Sequence, residues 1–311
     1  MPRKPAKLSN TYVPLPAIKK EDNTADQTSA TIRKDNRSHS ELRPLCLETS
    51  ILSAQLTTTN IISLGGSATG YGKCLGSSLV ELGHTKVLCE VNTAPTGTVD
   101  QGSLQCQVQF AKHMGKNAIL QRLHMVSPLD SATEAFSIGK LQNATTQMEA
   151  DLSQELTIAL QPVLDPYLFR IPKCAILVQV TVLQDDGSVL STCIGAATLA
   201  LMDAQVEMTD LVTSCTVAVL NISSSEEEKE GEECIFLADP TQEEMIQAQA
   251  VIVLAMTPNH KEVTLWRQSG RLTSDMANQA VELCRSGCRT MHKFLREVWV
   301  VSPIAAGAPN P

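Results

Sequence analysis

The clearest hydrophobic pattern in the chain lies at its centre, between residues 172 and 212. Cys174–Leu183 is rich in Val, Ile and Leu but too short to cross a membrane, so it predicts a mostly buried strand. A turn at Asp186-Gly187 follows, and from Ser188 apolar residues recur every three or four positions, which predicts a helix packed closely on a sheet. Because a Gly-containing turn before a helix offers backbone N–H groups to an anion, this junction is a candidate phosphate site.

Shorter apolar runs on both sides of this centre predict further strands. Gly83-His84 separates two of them and indicates a hairpin. Residues 57–76 resemble an insertion at a sheet edge and contain Lys73, but the Gly and Ser/Thr positions of a phosphate loop hold Ser67 and Cys74, which favours a surface insertion. The predicted strands are Leu45–Leu56, Ser78–Leu82, Thr85–Val91, Leu211–Asn221, Cys234–Ala238, Val251–Met256 and Glu262–Trp266.

Two further segments show helical spacing. Apolar residues from Leu152 to Val163 follow two acids, and Pro162 is expected to end that helix. The longest helix closes the chain, where apolar residues alternate steps of four and three from Ala277 to Val298 and Ser274 is the expected cap. We expect this last stripe to be core or interface.

Composition and charge divide the chain. The 311 residues are 43% hydrophobic and carry a net charge of −8, while residues 1–40 hold eight Lys/Arg and four Asp/Glu. We expect a disordered basic tail at 1–32, a domain at 33–303 and a flexible end at 304–311. An acidic segment at 223–233 predicts an exposed loop, in which Ser223, Ser224 and Ser225 have an acidic context suited to phosphorylation.

The chemistry-bearing residues are sparse. The ten cysteines include no C-x-x-C pair and no finger spacing, which favours reduced thiols over disulfides or a metal. Neither a secretory signal nor a transmembrane run is recognisable, so we expect the nucleus or cytoplasm and no membrane contact. Lys112, Lys116 and Arg122 form a locally basic stretch that is a candidate RNA-binding patch, and an ordinary solvated loop is the alternative.

Several strings, in this order, resemble the RNase PH family. They are RKDNR at 33–37 with ELRP at 41–44, SLVELGHTKVLC at 78–89, LQDDG at 183–187, AATLALMDA at 196–204, VEMTDLV at 206–212 and DPTQEE at 239–244. The resemblance implies an α+β fold with mixed sheets built from two related βαβ halves and a long C-terminal helix. Among family members the chain is most similar to ring subunits of the eukaryotic RNA exosome of the mRNA-transport-regulator-three type.

Active members of the family degrade RNA from its 3′ end by phosphorolysis, and the resemblance implies that this chain lacks the groups they use. Leu190 occupies the position of a phosphate-binding Arg, Gln147 and Met148 replace an Arg pair, and Val251 replaces the second of two acids whose first matches Asp239. The apolar Leu190 cannot hold an anion, and the apolar Val251 can neither transfer a proton nor bind magnesium. We therefore expect no catalytic residue, no metal and no cofactor.

The acids Asp239, Glu243 and Glu244 leave an alternative open. They are either a capped turn that opens a short helix, or a magnesium site of an active phosphate- or magnesium-dependent 3′–5′ exoribonuclease.

The resemblance implies a structural role in an RNA channel. The expected partners are other RNase PH-like ring subunits, RNA-binding cap subunits, a separate catalytic ribonuclease and single-stranded RNA. The expected locations are nucleus, nucleolus and cytoplasm, and a free-standing RNA-binding protein is a third interpretation.

Overall fold

The computed structural model of the protein describes residues 33–52, 74–95, 102–111, 138–171, 173–221 and 234–301. Nine strands in two sheets and four helices make up these segments. The predicted tail at 1–32, the residues 57–73 of the predicted insertion, the acidic loop at 223–233 and the C-terminal end at 304–311 lie outside the described residues. The domain boundaries therefore stay predictions.

The first sheet has five strands in the order β1-β2-β3-β5-β4. Its neighbours are antiparallel except for β4 and β5, which run parallel and are joined through a long helix. A parallel pair needs such a crossover, because a short turn cannot bring the chain back to the same end of the sheet. The strands are β1 Leu45–Thr49, β2 Gly76–Leu82, β3 Thr85–Pro95, β4 Ser103–Phe110 and β5 Cys174–Gln184.

The second sheet has four strands in the order β7-β6-β8-β9, all antiparallel. The parallel βαβ unit expected in each half therefore occurs, within the described part of the chain, in the first sheet. The strands are β6 Thr213–Asn221, β7 Cys234–Ala238, β8 Ala250–Thr257 and β9 Glu262–Gly270.

Four helices complete the fold. They are α1 Ile138–Leu168, α2 Val189–Asp203, α3 Gln242–Gln247 and α4 Ser274–Val301. Helix α1 packs on β4 and α2, and α4 packs on β6, β7 and β8. This arrangement confirms the predicted α+β class and the long C-terminal helix.

Helix α2 lies between the two sheets. It packs on β2, β3 and β5 of the first sheet and on β6 and β8 of the second, and all fifteen of its residues are buried. The sequence pattern predicted a helix on one sheet. Instead, apolar or small residues occupy every side of α2, as is typical of a helix that protein encloses completely.

Buried hydroxyl groups join α2 to both sheets. Ser78 of β2 donates a 2.7 Å hydrogen bond to the Ala196 carbonyl, while Thr198 donates to the Val212 carbonyl at 2.9 Å. Ser191 Oγ lies 2.8 Å from Thr216 Oγ1 of β6. Because each hydroxyl has a partner, these polar groups are accommodated in the core without an unpaired donor or acceptor.

Several predicted boundaries are wrong. Helix α1 continues through Pro162 and Pro166, because the buried Leu164 and Leu168 beyond the first proline keep packing into the core. Strand β1 ends at Thr49, where Ser50 turns into a left-handed conformation with φ 57°.

Two further boundaries differ from prediction by one or two residues. Gly76, placed in the insertion by the sequence, is the first residue of β2. The cap of α4 is Thr273, whose hydroxyl accepts the Met276 N–H, and Ser274 is the first helical residue.

All ten cysteines are free thiols, and five of them are buried. Burial raises the pKa of the Cys89 and Cys106 thiols, the latter to about 11. These thiols therefore stay protonated at neutral pH and are poor nucleophiles. No helix among the described residues combines the length and the apolar character needed to cross a membrane.

Substitutions at two glycines, Gly76 of β2 and Gly195 of α2, test how closely α2 is packed. A Cβ at Gly76 would lie 2.3 Å from the Ala204 backbone nitrogen and 2.5 Å from the Ala200 carbonyl oxygen, whereas a Cβ at Gly195 of α2 would meet no atom within 4 Å. We expect Gly76→Ala to lower the free energy of unfolding by roughly 1–3 kcal/mol, since backbone atoms cannot move aside as a side chain can. The matched Gly195→Ala should raise it by about 0.5–1 kcal/mol, because alanine is the better helix former. Urea denaturation of the purified chain measures both, and equal midpoints for the two variants would contradict this account.

Candidate functional site

A buried ion pair between Arg43 and Asp239 lies at the centre of the candidate site. The guanidinium Nη2 and Nε of Arg43 donate to Asp239 Oδ1 and Oδ2 at 2.8 and 2.9 Å, and the Arg43 backbone N–H donates to Oδ2 at 3.0 Å. The side chains of Arg43 and Asp239 are 3% and 4% exposed. Both carboxylate oxygens are therefore occupied by one arginine.

Arg43 also holds the turn between β5 and α2. Its Nη1 donates to the Asp186 carbonyl at 2.7 Å and its Nη2 donates to the Gly187 carbonyl at 3.2 Å. One side chain therefore joins the segment before β1, the β5–α2 turn and the loop after β7. These contacts span 143 to 196 residues of sequence and connect the two halves of the fold.

Two more arginines from the same segment surround Asp239. Arg33 makes a two-pronged ion pair with Glu244, with Nε–Oε1 and Nη2–Oε2 distances of 2.8 Å, and donates to the Ala238 carbonyl at 2.9 Å. Arg37 donates to the Asp239 and Glu41 carbonyls. We call Arg33, Arg37, Arg43, Asp186, Asp239 and Glu244 the arginine network.

The charges of this network shift the pKa values of its members. Burial by itself would raise the pKa of Asp239, but the charge and hydrogen bonds of Arg43 outweigh it and lower the pKa below the ordinary value. For Glu244 burial acts in the same upward direction, and the hydrogen bond from Arg33 leads the effects that lower its pKa. Both carboxyl groups are therefore ionised at neutral pH and are unsuited to act as general acids.

Three consecutive N–H groups of the β5–α2 turn bond to protein acceptors. The N–H of Asp186 donates to Thr85 Oγ1, that of Gly187 to Asp185 Oδ1, and that of Ser188 to Met245 Sδ. Gly187 adopts φ 92° and lies so close to the following loop that a Cβ there would be 2.6 Å from the Pro240 carbonyl oxygen. Three of the N–H groups that the candidate phosphate site would use therefore bond to protein acceptors, and the site itself stays a prediction.

Leu190 and Val251 occupy separate environments. Leu190 is 4% exposed and belongs to the hydrophobic core at the start of α2. Val251 pairs with Ala218 of β6, while the backbone N–H of Asp239 bonds to Thr216 on the same strand. Asp239 and Val251 thus flank β6 on opposite sides, roughly 10 Å apart at ordinary strand spacing.

Gln147 and Met148 lie on α1, nine and ten residues after its start at Ile138. Gln147 is exposed and its amide donates to Asp151 at 2.8 Å, while Met148 is half-buried. The neighbouring Glu149 accepts the Phe110 N–H at the end of β4, which runs parallel to β5. Topology therefore brings these two positions to the sheet edge that also carries the β5–α2 turn, although the residues themselves are uncharged.

The acids Asp239, Glu243 and Glu244 form a capped turn. Thr241 is the N-cap of α3: its hydroxyl accepts the Glu244 N–H, and the Glu244 carboxylate accepts the Thr241 N–H at 2.8 Å. Glu243 is exposed and pairs with Lys34 at the surface. The predicted capped turn is confirmed. Its cap residue is Thr241, whereas Asp239 pairs with Arg43.

A cleft of about 300 Å³ lies between the arginine network and α3. Arg33, Lys34 and Asp35 line one side, and Glu243, Glu244 and Asp186 contribute carboxylates. Half-burial raises the pKa of Asp186, although Arg43 opposes that shift. In the described residues no three His, Cys, Asp or Glu side chains are arranged to hold a metal ion. Arg33 is already paired with the Glu244 carboxylate of this cleft, and Arg43 lies 3.5 Å from the Asp186 carboxylate.

The predicted RNA-binding residues Lys112, Lys116 and Arg122 lie outside the described part of the chain and stay a prediction. The three network arginines were not assigned a role from the sequence pattern. Their strings indicated a resemblance only, because ordinary charged runs look the same and burial depends on contacts about 200 residues away.

Comparison with known protein families gives two matches in chain order. Residues 41–207 match the 3′ exoribonuclease family, domain 1, which is the RNase PH domain. Residues 210–287 match domain 2 of the same family. The boundary between the two matches falls in the segment between α2 and β6.

Individual relatives agree with these matches. The chain is 35% identical over 159 residues to human exosome complex component MTR3, covering 50% of this chain and 55% of the human protein. It is 27% identical over 280 residues to exosome complex component Rrp41 of Methanosarcina mazei, covering 90% of this chain and 46% of that protein. The chain thus spans about half the length of these two relatives.

A solved structure shares the fold. Rice (Oryza sativa) Rrp46 superposes with a TM-score of 0.60 at 18% identity, covering 86% of this chain and 99% of the rice chain. At that identity the likeness concerns the fold alone. Because one family domain by itself matches more than half of the chain and the second follows it directly, the protein belongs to the RNase PH family of 3′ exoribonucleases.

Proposed function

We propose that the protein is a non-catalytic RNase PH-like subunit of an RNA exosome ring. In this role it pairs with homologous RNase PH-like subunits, helps to close a six-membered ring, and contributes to a channel for single-stranded RNA. A separate ribonuclease cuts the RNA, and RNA-binding cap subunits lie on one face of the ring. The proposed locations are the nucleus, the nucleolus and the cytoplasm.

This proposal rests on one observation: the charged groups of the site are engaged in ion pairs and hydrogen bonds within the protein. Asp239 and Glu244 are ion-paired to arginines, the N–H groups of the β5–α2 turn face protein acceptors, and Leu190 is buried at the start of α2. Phosphorolysis needs a held phosphate and a proton donor near the leaving oxygen. Neither is available from these groups.

Assembly is supported by the relatives. The human and archaeal proteins described above are both named exosome complex components. The arginine network and α2 join the two halves into one body, which suits a subunit that transmits contacts between neighbours.

A second candidate function is a 3′–5′ exoribonuclease, as the family description states. Glu243 favours it most, because this carboxylate is 62% exposed and its partner Lys34 is 85% exposed. An exposed ion pair of this kind contributes little and separates readily. The exoribonuclease would use Asp239, Glu243 and Glu244.

Ribonuclease activity tests this proposal directly. Purified chain incubated with labelled single-stranded RNA, phosphate and Mg²⁺ should not shorten the RNA, because arginines hold the described acids Asp239 and Glu244, and Leu190 offers no charge to a phosphate. Glu243→Gln, which changes an exposed carboxylate, is the diagnostic variant. Shortening by the wild-type chain that Glu243→Gln removes, with the unfolding midpoint unchanged, would establish the exoribonuclease instead.

The second prediction concerns Asp239. Replacing it by Asn should lower the free energy of unfolding by about 3–5 kcal/mol, because the buried Arg43 guanidinium loses its counter-charge. Arg43→Met combined with Asp239→Leu should be less destabilising than Asp239→Asn alone, since no unpaired charge then remains. The exposed Glu243→Gln is the matched control and should change stability by less than about 0.5 kcal/mol. Chemical denaturation decides, and an Asp239→Asn chain as stable as wild type would disprove the structural role.

The third prediction concerns assembly. Tagged full-length protein purified from its own cells should sediment in a large complex and bring down other RNase PH-like chains, identified by mass spectrometry. Recovery as a small free species would contradict the ring proposal and favour a free-standing RNA-binding protein.

A further inference from the structure

The exposed face of α4 carries a row of cations. Arg289, Lys293 and Arg296 are all exposed and follow one another at steps of four and three, so they lie on one side of the helix. At 1.5 Å per residue the row is about 10 Å long. Glu297 is the single acid in residues 286–298, which leaves this part of α4 with a net charge of +2 in a chain of net charge −8.

These three cations differ from most other cations whose side chains the structure describes, because they form no ion pair with a described residue. Arg33, Arg37, Arg43, Lys86, Arg170, Arg267 and Arg285 all lie within 4 Å of a carboxylate. Arg285 at the near end of the row is paired with Glu282. Among the cations whose side chains the structure describes, this helix face therefore holds the densest group without a carboxylate partner.

The helix dipole does not account for the row. A cation benefits from the dipole only within the last turn, and the last turn of α4 has no basic residue. Arg289 lies twelve residues before the end of the helix at Val301. The helix dipole therefore does not explain why cations occupy these three positions.

The composition of the face indicates the class of ligand. Protein interfaces have a core of apolar and aromatic side chains, whereas nucleic-acid interfaces are polar and positively charged. The described part of α4 exposes no large hydrophobic side chain, and Ser286 and Thr290 alternate with the cations. Spaced guanidinium and ammonium groups match the regular negative charges of a phosphate backbone.

We propose that Arg289, Lys293 and Arg296 on α4 form a binding surface for the phosphate backbone of single-stranded RNA. The surface takes RNA without reading its sequence, because its described exposed side chains offer charges and no aromatic platform for the bases. This inference rests on the proposed role in an RNA-handling ring and adds to it a contact surface separate from the arginine network. Its residues are different from those of the predicted patch at Lys112, Lys116 and Arg122.

The test compares two triple variants of the full-length chain that remove equal charge. The first is Arg289→Gln, Lys293→Gln and Arg296→Gln. The matched control is Arg170→Gln, Lys173→Gln and Arg271→Gln, which changes three exposed cations outside α4. Binding of a fluorescent oligouridylate is measured over a range of salt concentrations, and the unfolding midpoint of each variant is recorded.

The α4 triple should weaken binding roughly tenfold at low salt and reduce the slope of log K against log salt by about 2, at about 0.7 for each lost phosphate contact. The control triple should change the slope by less than half of that. Equal losses in both triples, or no loss in the α4 triple, would overturn the proposal. Should the α4 triple fail to fold, Lys293→Gln alone should reduce the slope by about 0.7, and an unchanged slope would count against the surface.

A co-purification experiment separates this inference from the ring proposal. An α4 triple that keeps its RNA affinity but loses partner subunits would show that the row is a protein interface, which overturns the inference. A wild-type chain that recovers no RNase PH-like partners but whose RNA binding still depends on the row would overturn the ring proposal and leave the inference standing.

Discussion

The buried pair of Arg43 and Asp239 is the contact on which the relative placement of the two halves depends. Each member lies almost entirely out of water, and a charge in that environment is tolerated only when its partner and hydrogen bonds are in place. Arg43 meets this requirement with donors directed at Asp239 and at two carbonyls of the β5–α2 turn. The segment before β1 therefore fixes the end of the first sheet against the loop that leaves β7.

This constraint has a chemical consequence. A carboxylate with both oxygens held by a guanidinium cannot also bind a metal ion or deliver a proton, because its pKa is lowered and its lone pairs are engaged. Arg33 acts on Glu244 in the same way, and the capping box of α3 uses the remaining capacity of that side chain. The acids that could have indicated catalysis are thus part of the framework. This is the physical basis on which we propose a structural role for the chain within a family of ribonucleases.

The framework also explains how α2 is accommodated. A helix enclosed by two sheets must present small or apolar residues in every direction, and close approach of backbones requires positions such as Gly76. Its polar residues are accommodated by hydrogen bonds: hydroxyls bond to neighbouring carbonyls or to one another, and the buried Asp203 carboxylate at the helix end accepts from the Ser50 hydroxyl and the Ser77 N–H. The cations of α4, by contrast, lie at the surface, where they cost nothing in desolvation and remain open to a polyanion.

The sequence by itself determined the types and order of the elements. Strand β5, the Asp-Gly turn, the start of α2 and the length of α4 followed from apolar spacing and turn chemistry, because these depend on residues that are neighbours in the chain. The family resemblance, and with it the α+β class, followed from the joint order of short strings.

Only the tertiary structure decided which charged residues are buried. Arg43 and Asp239 are 196 residues apart, so no local pattern distinguishes them from ordinary surface charges. The same reason applies to Pro162, which remains inside α1 because buried leucines beyond it pack into the core. It also applies to two N–H groups of the β5–α2 turn, which bond to Thr85 of β3 and Met245 of α3. Local chemistry specifies what a segment can form, and contacts between distant segments specify what its side chains are used for.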